Sequence, residues 1–191
     1  MRRITAERGL VPGDVVRAAA VGSLVVGIVV LGGVAGALFF LVLGGVFVPR
    51  FLRLPPVLDL CFGFSLLLAA WASQLGWYEV VPWLDLLMHA VCTGLIAAVG
   101  VIIMIRGQML EVGALPGRAR VGLVVTTTGI GALSAIVWEL GEWAGHTYLD
   151  DGIDIGYADT VADLAFGLLG AMLAGGAVAA KDQAWRRERD T

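Results

Sequence analysis

The sequence predicts an all-α protein, a polytopic transmembrane helix bundle of six spans with both termini in the cytoplasm. Three observations predict it. The 191 residues are 59% hydrophobic and only 15% charged, with a mean hydropathy of +0.88, whereas a soluble domain carries about 25% charged residues. Several stretches approach or exceed the ~20 apolar residues needed to cross a bilayer. The 13 Lys and Arg residues fall in clusters that a six-span path places on a single side, and short cytoplasmic loops retain such residues.

The elements follow in order. Residues 1–17 form a charged cytoplasmic segment, 18–180 a single transmembrane domain, and 181–191 a basic cytoplasmic tail. The N-terminal segment resembles a signal-peptide n-region. However, the apolar stretch Ala18 to Val48 that follows is about 30 residues, too long for an h-region of about 7–15. That stretch is either one tilted helix, giving five spans in all, or two short helices turning near Gly32-Gly33. Charge favours the turn, because Arg2, Arg3, Arg8 and Arg17 precede the stretch and Arg50 and Arg53 follow it. A hairpin keeps both groups inside. Its arms are near the lower limit for spanning, so a partly re-entrant hairpin is a further possibility. The later spans are Pro56 to Gly76, Leu84 to Ile105, Val121 to Ala144 and Asp159 to Ala180. Arg106, Arg118 and Arg120 then lie inside, with Lys181, Arg186, Arg187 and Arg189. The outer connections, "WYEVVPW" (77–83) and "GHTYLDDGIDIGYA" (145–158), carry the Trp and Tyr of an interfacial belt.

The net charge of −3 carries no information about partners, because the two signs are segregated. No basic stripe with interleaved aromatics points to nucleic acid, so the bilayer is the expected partner; the oligomeric state stays open. Cys61 and Cys92 fall in different spans at different depths and read as reduced core thiols with no redox motif. Asp59 reads as a helix-start acid.

Ionisable residues recur at helical spacing near the outer ends of three spans. Asp85 and His89 are four apart, Glu139, Glu142 and His146 three and four apart, and Asp159 and Asp163 four apart, so each set occupies one helix face. Two of these helices run inward and one outward. That brings His89, Glu139 and Asp163 to one depth, with Asp85, Glu142 and Asp159 in a shallower layer. Below them, Thr128, Ala132, Ala135, Gly167, Gly170 and Ala171 offer small faces for close packing. With no Lys or Arg outside, these acids have only His89 and His146 as basic partners. Like charges this close do not all ionise unaided, so either protons or a cation neutralise them. Mixed His and carboxylate donors suit a divalent Zn, Mn or Fe ion over Mg or Ca. The metal ligands read from the sequence are His89, Glu139, Asp163 and Asp159, with Glu142 or Asp85 as general base. Asp85 and Asp159 are equally readable as first-turn caps. Asp150, Asp151 and Asp154 read as a solvated loop, and His146, Trp138 and Trp143 as interfacial residues.

At "DLLMH" (85–89), "ELGEW" (139–143) and "DTVAD" (159–163) the chain resembles the YjdF-like bacterial inner-membrane family and, more loosely, the VanZ-like family; "YEVVP" (78–82) belongs to the same likeness. The resemblance runs from about Leu54 to Leu173. Thr93 stands where the family has a glycine, with Gly94 one residue on, and Gly156 stands where an acid is expected. It implies a multi-pass plasma (inner) membrane protein and brings no established reaction; VanZ-like members are associated with glycopeptide-antibiotic resistance. Three functions fit the residues. The first is metal-dependent hydrolysis or group transfer on a lipid or lipid-linked substrate at the outer leaflet. The others are proton- or cation-coupled transport, and a non-catalytic role in which a metal or protonated acids hold the helices together.

Overall fold

A computed structural model describes residues 9–110, 116–153 and 155–189, without side-chain detail for 116, 119 and 181–189. Arg2, Arg3, Arg8 and Asp154, and the side chains of Lys181, Arg186, Arg187 and Arg189, lie outside what is described. The described chain is all helical. Six helices are long and apolar enough to cross a membrane: Gly13–Leu31, Gly33–Phe51, Pro56–Gln74, Pro82–Arg106, Arg120–Tyr148 and Tyr157–Ala180. The elements are α1 (Gly13–Val26), ending in a π-helical turn (Gly27–Leu31), α2 (Gly33–Phe51), α3 (Pro56–Gln74) and the short α4 (Trp77–Val80). They continue with α5 (Pro82–Arg106), α6 (Pro116–Tyr148) and α7 (Tyr157–Arg189). Proline opens α3, α5 and α6, at the position where its missing N–H costs nothing. The chain forms two compact units, Met1–Leu67 and Leu68–Thr191, with the boundary inside α3.

In the first unit the ambiguous apolar stretch is a helical hairpin. Gly32 takes φ 105° and ψ 175°, a conformation open essentially only to glycine, and α2 starts at the next residue. Each arm has 19 residues, enough to cross, which removes the need for a re-entrant hairpin. Asp59 is more than a helix-start acid. It lies in the first turn of α3 but is buried, and it accepts a hydrogen bond from Arg17 of α1, itself only 5% exposed. Arg17 also pairs with Asp14 at 2.8 Å and donates from Nε to the Val46 carbonyl at 3.1 Å. Arg50 approaches Asp14 at 3.6 Å. One guanidinium thus ties α1, α2 and α3 together, with its remaining face over the Phe47 ring.

In the second unit, α5 and α7 run parallel and α6 runs antiparallel to both. A methyl on Gly167 would lie 3.2 Å from Thr93 Oγ1 and 3.4 Å from Ala135 Cβ, and one on Gly131 would lie 3.2 Å from Ala97 Cβ and overlap Ala171. Matched levels Thr93/Ala135/Gly167 and Ala97/Gly131/Ala171 therefore succeed one another a turn apart, filled by small residues that let the backbones approach. Gly170 is the tightest point, since a Cβ there would run into the Ala90 carbonyl. The outer faces are apolar instead: Val125, Leu133, Ile136, Val137 and Leu140 of α6 are exposed. So broad an apolar surface needs lipid to cover it.

Two expectations attach to this fold. Reporters fused at Arg53 and at Gln108 should report the cytoplasm, and fusions at Glu79 and Asp151 the exterior, because every basic cluster then lies inside. A cytoplasmic signal at Asp151 would invert the depth assignment. Neither cysteine forms a disulfide. Cys61 is exposed on α3 rather than a core thiol, whereas Cys92 of α5 is half-buried. Both thiols should titrate in denatured, unreduced protein, and an intramolecular disulfide would contradict the span register.

Candidate metal centre

The three sets of ionisable residues meet on one imidazole. His89 projects from α5 among α6 and α7, with its side chain 12% exposed. Its Nε2 lies 3.6 Å from Asp85 Oδ1 and 3.9 Å from Asp163 Oδ1, and its Nδ1 lies 3.9 Å from Glu139 Oε1. Two groups have donor atoms within 4.8 Å of one another: Asp85, His89 and Asp163, and His89, Glu139 and Glu142. These spacings are too long for hydrogen bonds. They are close to the ~3.4 Å edge of a tetrahedron built from ~2.1 Å metal–ligand bonds.

The two layers read from depth merge. Side chains on a helix lean toward its N-terminus, so His89 reaches back to the level of Asp85. On the antiparallel α6 the same lean carries Glu142 toward the level of Glu139. Asp163 is 2% exposed, and its Oδ1 and the Glu139 Oε1 are buried oxygens with no hydrogen-bond partner. Buried acceptors left unsatisfied are costly, so the geometry provides places for a positive ligand.

The remaining candidates separate from this centre. Asp159 is exposed in the first turn of α7 and belongs to neither donor group. His146 donates from Nδ1 to the Ile153 carbonyl at 2.6 Å, fastening the connection to α7. Asp150 accepts from the Gly152 N–H at 3.0 Å as a turn former, and Asp151 is exposed.

Three neighbours escaped sequence reasoning. Thr160 of α7 lies beside the Glu139 carboxylate, and Trp138, one turn before Glu142 on α6, lies beside the Glu142 carboxylate. Tyr78 of α4 donates its hydroxyl to the Ala69 carbonyl at 3.1 Å and lies within electrostatic reach of Asp85, Glu142 and Asp163. Burial, then the charge of Asp85, pushes its phenol above the ordinary range and keeps it neutral. The signals were present: Thr160 sits inside "DTVAD", Trp138 is i−4 to Glu142, and Tyr78 opens "YEVVP".

Six apolar helices and a buried His/carboxylate cluster define an integral membrane protein with a site able to coordinate a divalent metal, its mixed donors favouring transition metals over Mg or Ca. The chain belongs to the DUF2238 family, described as a predicted membrane protein, whose profile matches residues 15–183. Neither the curated proteins nor the solved structures contain a match.

Proposed function

We propose that this protein is a metal-dependent membrane enzyme, a hydrolase or transferase acting on a lipid or lipid-linked substrate at the outer leaflet of the inner membrane. The observation that carries this reading is His89, flanked by carboxylates at ligand–ligand spacing, with Glu139 Oε1 and Asp163 Oδ1 buried and unpartnered. A divalent ion held by His89 with Glu139 or Asp163 would supply Lewis acidity. Glu142 or Asp85, whichever carboxylate coordination leaves uncommitted, would accept a proton from the attacking water or hydroxyl. The same residues carry the likeness to YjdF-like proteins and the looser one to VanZ-like proteins. That likeness supports an inner-membrane setting, and the clustering of Lys and Arg supports both termini in the cytoplasm.

Transport is the second reading. Thr128 Oγ1, further along α6, is another buried atom without a partner and would extend a polar path. The packing beyond the centre argues against one, because the Thr93 and Ala97 levels are closed by glycine and alanine. A site closed on that side suits binding and chemistry better than passage.

Metal analysis of purified wild type tests the proposal. His89→Ala should remove most of the metal, Glu139→Gln and Asp163→Asn should each lower the amount bound, and Asp159→Asn, which preserves a cap, should retain it. Wild type should melt higher than its chelator-treated form, because a ligand bound only to the folded state adds stability. Metal-free wild type, with Glu139→Gln unchanged or more stable, would reject the metal reading.

A further inference from the structure

We propose that the centre holds two divalent cations, one on each side of the His89 ring. This rests on the metal-dependent reading and specifies its stoichiometry. Three observations converge on it. The donors divide by ring nitrogen: Asp85 and Asp163 approach Nε2, and Glu139 approaches Nδ1 with Glu142 in its group. Each side independently gathers two carboxylates and a ring nitrogen. Each side also has its own buried oxygen without a hydrogen-bond partner, Asp163 Oδ1 on one and Glu139 Oε1 on the other. One ion against one nitrogen leaves the other oxygen unanswered.

Charge points the same way. Asp85, Glu139, Glu142 and Asp163 have no Lys or Arg among their ion-pair partners in the described residues. A single divalent ion leaves two negative charges of the four uncompensated in an apolar setting, where each is expensive. Two ions balance all four carboxylates. If both nitrogens ligate, the ring is shared as imidazolate, its proton released to solvent on binding. One negative charge then remains, which is still fewer than with a single ion. Three protein donors per ion leave each a position open for substrate or water. Glu142 and Asp85 become ligands in this arrangement. The proton acceptor is then the carboxylate oxygen that each residue leaves uncoordinated.

Chelator-stripped protein in detergent, titrated with Mn²⁺ and followed by bound metal and by electron paramagnetic resonance, tests the pair. Wild type should bind two equivalents and give a spectrum broadened by the neighbouring ion. Asp163→Asn and Glu142→Gln should each keep one equivalent, on opposite sides of the ring, and restore a sharp single-ion spectrum. Saturation of wild type at one equivalent overturns the pair and leaves the single-metal enzyme standing. No binding by folded wild type overturns both. Because the wild-type stoichiometry decides the matter, poor folding of either variant does not blunt the test.

Discussion

Replacing Arg17 with leucine should destabilise the first unit by about 3–5 kcal/mol, the cost of breaking a buried ion pair from one side. Arg17 holds Asp59 and Asp14 and reaches the Val46 carbonyl, so its loss strands two acids and an acceptor. Asp59→Leu should cost less, since Asp14 still answers the guanidinium. The double variant Arg17→Leu/Asp59→Leu should recover part of the loss, because an apolar pair leaves no uncompensated charge. Thermal unfolding in detergent, arranged as a double-mutant cycle, measures the coupling. Additive losses would show that the two side chains do not depend on one another.

Gly170→Ala should destabilise the second unit by about 1–3 kcal/mol, as overpacking does, and should weaken metal binding as well. The added methyl collides with the Ala90 carbonyl, which is backbone and cannot rotate away. α7 must therefore move off α5. Asp163 is two turns from Gly170, and His89 is the neighbour of Ala90, so that displacement opens the gap across which both would hold an ion. Gly176→Ala on the same helix is the matched control, because nothing lies within 4 Å of the added methyl. It should be neutral or stabilising by up to ~1 kcal/mol through helix propensity. Equal behaviour of the two variants would mean that α5 and α7 do not depend on backbone contact.

Much of the protein was legible because the signals are local. Apolar length marks a span wherever it occurs, and the four-residue spacings of Asp85/His89 and Asp159/Asp163 place each pair on one face without knowledge of any neighbour. Gly32-Gly33 marked the hairpin turn, since few other residues accept the backbone found at Gly32. Small residues at Ala135, Gly167, Gly170 and Ala171 announced close packing. Each of these rests on a repeat or a length within one helix.

What remained belonged to relations between helices. Arg17 and Asp59 are 42 residues apart, and nothing in either segment names the other; Asp59 alone reads as a helix-start acid. Depth counted along helix axes put Glu142 and Asp85 in a separate layer from His89. The lean of side chains on antiparallel helices erased that separation. Asp159 shares its spacing with the other acids, yet it is exposed, whereas Asp163 one turn on is buried. The sequence by itself determined which residues share a face and that six apolar helices would need a bilayer. Only the tertiary structure decided how far each helix turns and slides against its neighbours, because that depends on packing between segments distant in the chain. A rotation and a shift of a few ångströms separate an acid buried between helices from one exposed at a helix start.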